Sequence, residues 1–146
     1  RMSFYTEIGT AVHELLQTII PISKHGLEVF GRWKCGCKDK HGNPVIKGPC
    51  IKRIRKCNNC KKQYTYEEVE LEYRGLSGHI DMITRDDEGK YYLWEFKTTK
   101  DARAKYLPSD KHRVQAETYS YLMKKLFNID IEAYAIIFEI DEYYRN

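Results

Sequence analysis

Residues 78–98 read GHIDMITRDDEGKYYLWEFKT, and this stretch decides the fold that we expect. Two runs rich in β-branched and aromatic residues flank the turn signal DDEG at residues 86–89, a pattern that predicts a β-hairpin. A three-residue loop with Gly89 in the left-handed conformation would fix the register of the two strands. In that register Asp81 lies directly opposite Glu95.

The pair formed by Asp81 and Glu95 creates a charge problem that a metal ion would solve. Two carboxylates directly opposite in a sheet have Cβ atoms about 5 Å apart and repel each other. Oxygen ligands of this kind favour Mg²⁺ or Mn²⁺, which polarise a phosphate and lower the pKa of a bound water. Lys97 lies on the same strand face as Glu95, so it can orient that water or stabilise charge on the phosphate.

This pattern predicts phosphodiester hydrolysis. The alternative is that these three residues are solvated strand residues that form an ordinary surface ion pair. The same register places His79 opposite Lys97.

Helical and strand periodicities outline the rest of the chain, and no internal repeat interrupts it. We expect one domain, residues 1–146, with an α/β fold. The predicted elements are an amphipathic helix at 6–20 ending before Pro21, strands at 64–73, 78–85 and 91–98, a helix from Ser109 or Asp110 to about Phe127, and a buried closing strand at 131–140.

The net charge of +4 is unevenly distributed. Residues 32–62 hold eleven Lys or Arg against one acid, whereas the remainder carries 14 basic and 20 acidic side chains. All five cysteines lie in this basic segment, and an odd, clustered count without a secretion signal favours metal binding over disulfides. We therefore interpret residues 31–63 as a cysteine-rich basic insertion whose order comes from a bound ion rather than from a core.

The cysteine spacing predicts a structural zinc site. CNNC at residues 57–60 has the spacing of a metal knuckle, and CGC at residues 35–37 offers a second pair, so four thiolates can surround a tetrahedral ion. Cys50 and His41 are alternates for one member of the earlier pair, and an iron–sulfur cluster is the rival cofactor. The predicted zinc ligands are Cys35, Cys37, Cys57 and Cys60.

The same segment has the composition of a nucleic-acid-binding surface. Its positive charge, beside the aromatic residues Trp33 and Tyr64, suits a phosphate backbone and unpaired bases. It would also draw a polyanion towards carboxylates that would otherwise repel it. The DNA-binding residues that we expect are Lys52, Arg53, Arg55, Lys56, Lys61 and Lys62.

Several motifs resemble those of the PD-(D/E)XK nuclease superfamily, in which a lone Asp precedes a Glu-x-Lys strand. They are SGHID at residues 77–81 and WEFKTT at residues 94–99. The order of elements is similar to the family's restriction-endonuclease-like core of helix, three-strand meander, helix and strand in a mixed sheet, here with a zinc-binding insertion. His13 within GTAVHELL and the Gln115-x-x-x-Tyr119 motif resemble the RecB-like branch, which includes exonucleases of CRISPR adaptation and viral exonucleases.

The resemblance also implies roles for individual residues. Lys97 becomes the catalytic lysine. Gln115 and Tyr119, four residues apart on one helical face, would border the active site and contact the substrate strand or Lys97. The implied ligands of the catalytic ion are His13, Asp81, Glu95 and the backbone carbonyl of Phe96.

An acidic group upstream of Gly78 is a further implication, and either Glu70 or Glu72 would supply it. Some RecB-like relatives carry an iron–sulfur cluster on four cysteines that flank the nuclease core from both ends. Here all five cysteines lie between the first helix and the sheet, and this departure favours zinc.

We therefore expect a Mg²⁺- or Mn²⁺-dependent deoxyribonuclease, an exonuclease acting on single strands or DNA ends in recombination, repair or replication. A virus-encoded enzyme, or a subunit beside a helicase or recombination partner, would fit. The alternatives are a structure-selective endonuclease such as a resolvase or nickase, and a catalytically silent zinc-dependent DNA-binding module. RNA stays open as a substrate. No apolar run approaches the roughly 20 residues that span a bilayer, so we expect no membrane and a cytoplasmic, intracellular location.

Overall fold

The fold is a mixed α/β arrangement, seen in a computed structural model that describes residues 4–22, 28–52, 55–100 and 109–140. The helices are α1 (Phe4–Ile19), continued by a 3-10 turn at Ile20–Ile22, and α2 (Asp110–Phe127). The strands are β1 (Glu28–Lys38), β2 (Pro44–Ile51), β3 (Thr65–Glu67), β4 (Val69–Tyr73), β5 (Leu76–Ile80), β6 (Met82–Arg85), β7 (Tyr91–Lys100) and β8 (Ile131–Ile140).

The strands form one mixed sheet and one separate hairpin. The sheet has the order β2-β1-β6-β7-β8, with β3 also paired to β1, while β4 and β5 pair with each other. Strands β7 and β8 are parallel, whereas the other pairs are antiparallel. Because α2 connects the two parallel strands, it supplies the crossover that such a pair needs.

The β6–β7 hairpin has the predicted turn and register. Gly89 has a φ of 83°, and the backbone N–H of Asp86 donates to the carbonyl of Lys90 at 2.9 Å. The ladder runs inward to the pair Met82 and Trp94. The turn chemistry alone was therefore sufficient to set the two strands correctly.

The predicted strand at 78–85 is two strands, because the chain bends at Asp81 between β5 and β6. Strand β5 consequently leaves β7 and pairs with β4, which places His79 opposite Glu70. The prediction that His79 faces Lys97 is wrong. Ladder pairing with β7 stops at Met82, and beyond it the Phe96 N–H donates to the Asp81 side chain at 2.8 Å instead of to a backbone carbonyl. The Asp81 carbonyl accepts from the side chains of Gln17 and Tyr66.

Strand β1 was not predicted, because apolar residues show no sustained helical or strand periodicity in residues 31–63. Its first residues pair with β6, and its later residues pair with β2 on one side and β3 on the other. Val29, Phe30 and Trp33 are all buried, so this part of the chain contributes to the core as well as carrying cysteines.

Each helix covers one side of the sheet. Tyr119, Leu122 and Met123 of α2 pack into a cluster with Leu71 and other buried residues. Of the two predicted N-cap candidates, Ser109 is the one that caps this helix, because its hydroxyl accepts from the His112 N–H. The helix ends at Asn128 in the left-handed conformation.

A second cluster lies towards α1, whose Leu16 packs against it beside Met82 and Phe96. Strand β8 has the predicted bounds but is an edge strand, and Tyr134 is 46% exposed. The prediction of a buried closing strand is therefore wrong. Within the described ranges, neither helix has the length and apolar character to cross a membrane.

Candidate active site and thiolate cluster

Three side chains converge where β5 diverges from β7. The Nε2 atom of His13 lies 3.0 Å from Oδ1 of Asp81 and 3.4 Å from Oε2 of Glu68. One ligand atom from each residue lies within 4.8 Å of the other two. These separations suit one small cation, since ligands about 2.1 Å from an octahedral Mg²⁺ are about 3 Å from each other.

Asp81 is held in place by hydrogen bonds to both its side chain and its backbone. The Phe96 N–H donates to Oδ2 at 2.8 Å, which leaves Oδ1 directed at His13. The backbone carbonyl accepts from the Gln17 amide and from the Tyr66 hydroxyl, each at 2.8 Å. The bend is thus fixed from β7, from α1 and from β3.

Glu95 is the buried acid of the site. Its residue is only 9% exposed, and its Oε1 atom has no hydrogen-bond partner among the described residues. Burial, followed by the charge of Asp81, raises the pKa of Glu95 to about 8. A carboxyl group in this position requires either a proton or a cation in order to be stable.

Lys97 lies on the same strand face as Glu95. Its Nζ atom is 3.9 Å from Oε2 of Glu95, and its side chain is half-buried. The ammonium group therefore lies beside the acidic site and also reaches a small cleft of about 130 Å³ that Gln115 and His112 help to line. Burial and the nearby charge of Lys97 lower the pKa of His112.

Gln115 and Tyr119 of α2 border this region. The Gln115 amide donates to the Tyr119 hydroxyl at 3.2 Å. Burial, together with the charge of Glu95, raises the pKa of Tyr119. Gly78 must remain a glycine, because a Cβ atom there would lie 2.5 Å from the Tyr119 ring. The close contact joins the SGHID and Gln-x-x-x-Tyr motifs in space.

Sequence reasoning missed two residues of this site. The acid that approaches His13 is Glu68, whereas Glu70 pairs with Arg32 at 3.1 Å and Glu72 is exposed on β4. Glu68 lies in the break between β3 and β4, which strand alternation does not reveal. Gln17, the second, donates to Oε2 of Glu68 at 2.7 Å. Its spacing of four residues from His13 was an available signal.

We call His13, Glu68, Asp81 and Glu95 the carboxylate site. The structure brings together the predicted His13, Asp81, Glu95, Lys97, Gln115 and Tyr119, and adds Glu68 and Gln17.

A second group of ligands lies where β1 meets the CNNC turn. The four thiols of Cys35, Cys37, Cys57 and Cys60 lie within 4.8 Å of one another. Sulfurs about 2.3 Å from a tetrahedral zinc ion are about 3.8 Å apart, and the Sγ atoms of Cys37 and Cys57 are separated by 3.7 Å. These four residues, called here the thiolate cluster, fit a zinc ion.

Backbone geometry around the thiolate cluster favours negative charge on sulfur. Backbone hydrogen bonds from Cys60 and Asn59 lower the pKa of Cys57 to about 6. Similar hydrogen bonds from Lys62 and Gly36 lower the pKa of Cys60, while contact with Cys35 and then Cys57 raises that of Cys37 to about 12. Such N–H groups commonly support metal-bound thiolates.

Neither alternate zinc ligand belongs to this group. The thiol of Cys50 is outside the set of converging ligand atoms, and its carbonyl accepts from the Trp33 indole at 3.0 Å. His41 is exposed in the turn between β1 and β2, where its N–H donates to Asp39.

The predicted DNA-binding residues lie in the cysteine-rich basic segment, residues 31–63, which is called the basic module from here on. The Lys52 ammonium is 4.4 Å from the centre of the Tyr64 ring. Arg55, Lys56, Lys61 and Lys62 are exposed, and Arg53 lies outside the described residues.

Comparison with known families agrees with this geometry. The family model of the PD-(D/E)XK nuclease superfamily matches residues 47–143, a range that contains Glu68, Asp81, Glu95 and Lys97. The chain belongs to the PD-(D/E)XK nuclease superfamily. Membership makes it a nuclease, a hydrolase of phosphodiester bonds that uses divalent metal, and implies a DNA substrate. No curated protein and no solved structure matches the chain.

Proposed function

We propose that this protein is a Mg²⁺- or Mn²⁺-dependent deoxyribonuclease of the RecB-like branch. It acts as an exonuclease on DNA ends or single strands in recombination, repair or replication. The observation that carries the proposal is the buried Glu95 carboxyl, which has an unpartnered oxygen and lies beside the carboxylate of Asp81. A divalent cation at this point would replace the proton on Glu95 and remove the repulsion.

The donor set supports a hard cation. Imidazole and carboxylate groups at these separations suit Mg²⁺ or Mn²⁺, and a soft ion would prefer sulfur. The ion would supply Lewis acidity and a nucleophilic water at neutral pH. The residues that would hold it are His13, Glu68, Asp81, Glu95 and the backbone carbonyl of Phe96.

Lys97 would act on the phosphate side of the site. Its Nζ atom lies close enough to Glu95 to be held in position, yet it reaches the cleft of about 130 Å³. A positive charge fixed there stabilises the negative charge that grows on the phosphate oxygens during hydrolysis. It also orients an attacking water by donating a hydrogen bond to it.

In this proposal Gln115 and Tyr119 help to position the substrate strand and take no part in proton transfer. Because the pKa of Tyr119 is raised, its hydroxyl keeps its proton at neutral pH. Tyr119 packs beside Gly78, and Gln115 lines the same cleft as Lys97. In this proposal both residues would border the active site and contact the substrate strand or Lys97.

The thiolate cluster is proposed as a structural zinc site. Four thiolates close a tetrahedron and leave no position for water, in contrast to catalytic zinc sites. A Zn²⁺ ion would join β1 to the CNNC turn and order the basic module around it.

The direct test is digestion of end-labelled single-stranded, linear duplex and closed circular DNA with Mg²⁺ or Mn²⁺, comparing the native chain with Lys97→Ala. We expect ion-dependent cleavage that falls about 10²- to 10³-fold in the variant. Glu88→Gln, in the exposed turn of the same hairpin, is the matched control and should cut normally.

Resistance of the circles would support exonuclease action, and nicking of circles would support a structure-selective endonuclease. Equal DNA binding by both chains without any cleavage would overturn the proposal in favour of a silent DNA-binding module.

A further inference from the structure

A groove of about 520 Å³ lies between α1 and the cysteine-bearing module. One wall is the face of α1 that carries Glu14, Gln17 and Thr18, so its only charged group among the described residues is a carboxylate. The opposite wall carries Lys52, Arg55 and Tyr64. The function described above uses the two metal sites and leaves this space without a role.

Two residues that line the groove also hold the carboxylate site in place. Gln17 and Tyr66 both line the groove, and both donate hydrogen bonds to the carbonyl of Asp81. Gln17 also holds Glu68. A molecule in the groove would therefore lie one side chain away from the metal ligands.

The size and chemistry of the groove select for a nucleotide. Its volume of about 520 Å³ is within the range of about 300–1,000 Å³ found for small-molecule sites, which is enough room for a nucleotide of an unpaired strand. Lys52 and Arg55 supply positive charge, and the Lys52 ammonium is held over the Tyr64 ring. Basic groups beside aromatic rings are typical of channels for unpaired strands.

We propose that this groove binds the nucleotides next to the scissile phosphate in an unpaired DNA strand, with their phosphates against Lys52 and Arg55. This inference rests on the proposed function and specifies its substrate. The cysteine-bearing module then forms one wall of the substrate channel, and the helix that carries His13 forms the other.

The test is the affinity of the full, zinc-loaded chain for a short fluorescein-labelled oligothymidine, measured by anisotropy without added Mg²⁺ or Mn²⁺. We expect the double variant Lys52→Ala/Arg55→Ala to bind at least roughly tenfold more weakly at moderate salt. The slope of log affinity against log salt concentration should fall by about 1.4, because each lost phosphate contact on a single strand removes about 0.7.

The matched control is Lys38→Ala/Lys40→Ala, which removes the same charge from exposed positions of the same module, away from the groove. This control should change the affinity less than twofold. Equal losses in both double variants, or no loss in either, would overturn the inference, because general attraction would then explain the binding.

A substitution on α1, the other wall of the groove, tests the inference without altering the basic module, whose variants could fail to fold. Thr18→Glu adds a negative charge from α1, where Thr18 is exposed and makes only a local hydrogen bond to the Glu14 carbonyl among the described residues. It should weaken binding several-fold, whereas Ala11→Glu, exposed on α1 outside the groove, should not. Equal effects of the two would count against the groove.

Cleavage of the same oligonucleotide with Mn²⁺ separates the two proposals. Cleavage by the native chain, with no groove-specific loss of binding, would refute the groove and leave the nuclease. Groove-specific binding without any cleavage would refute the nuclease and leave a binding groove for unpaired DNA.

Discussion

The carboxylate site and the thiolate cluster differ in how the chain builds them. The carboxylate site draws its residues from α1, the link between β3 and β4, the bend at Asp81, and β7. The thiolate cluster draws on two short pairs within one module. The first site therefore exists only when the whole fold is formed, whereas the second can form locally.

The donor atoms of the two sites also suit different ions. Oxygen and imidazole ligands with one partly exposed histidine leave room for water and substrate, and four sulfurs leave none. This difference indicates a division of roles between chemistry and structure. Variants of single residues can test that division.

The largest effect is expected from Asp81→Asn. Loss of this carboxylate removes a metal ligand and should lower the cleavage rate roughly 10³-fold, equivalent to several kcal/mol of transition-state stabilisation. Zinc content, measured by release of metal with a thiol-blocking reagent, should stay at one ion per chain. Asp87→Asn in the exposed turn is the control, and loss of zinc in the Asp81 variant would show that the sites are not separate.

Cys57→Ser should disrupt the other site. Cys57 is 2% exposed, and without its thiolate the cluster loses its zinc. We expect a fall in melting temperature of about 10 °C, which corresponds to a few kcal/mol in a chain of this size. Cys50→Ser, outside the cluster, should keep its zinc. A Cys57 variant that retained zinc and stability would refute the assigned ligand set.

Gln17→Ala should have a smaller effect that is confined to the carboxylate site. Because Gln17 holds both Glu68 and the bend at Asp81, its loss should weaken Mn²⁺ binding about 10- to 100-fold by calorimetry. Saturating Mn²⁺ should restore much of the cleavage rate, as expected for a positioning residue. Leu15→Ala, 57% exposed on the same helix, is the control and should bind Mn²⁺ normally.

The smallest effect is a pH dependence of stability when Mg²⁺ and Mn²⁺ are left out. The folded chain raises the pKa of Glu95 from 4.5 to about 8, so it binds more protons than the unfolded chain between these values. Stability should therefore fall as pH rises through this window. Glu95→Gln should melt a few degrees higher than the native chain at pH 8 and show no such advantage at pH 4.5. An equal difference at both pH values would contradict this account.

The parts of the fold that follow from local chemistry were predictable. The DDEG turn fixed the β6–β7 hairpin, and the Ser109 cap and apolar spacing fixed α2. The cysteine pairs likewise indicated the four thiols that converge. Each of these features is set by neighbours that are close in sequence.

The features that were missed depend on distant contacts. The bend at Asp81 is held by Gln17 and Tyr66, and Glu68 reaches the site only because the chain breaks between β3 and β4. Strand β1 was missed for another reason. Its buried face alternates Trp33 with Cys35, and a cysteine read only as a ligand does not count as an apolar residue.

Strand β1 also connects the two sites physically. Its Arg32 side chain donates to the carbonyl of Glu68 at 2.8 Å, and three residues later the same strand carries Cys35, one of the predicted zinc ligands. The link that carries Glu68 is thus anchored to the strand that carries Cys35 and Cys37.

The position of β1 between β6 and the pair β2 and β3 has a practical consequence for the redesign of this enzyme. Excising the cysteine-rich stretch, residues 31–63, to obtain a minimal nuclease would cut through β1 and remove the buried Trp33 from its packed cluster. Affinity tags or reporter peptides would be tolerated instead at the exposed turn of residues 39–43, which joins β1 to β2. Residues can therefore be inserted in the turn between β1 and β2, whereas β1 itself cannot be deleted.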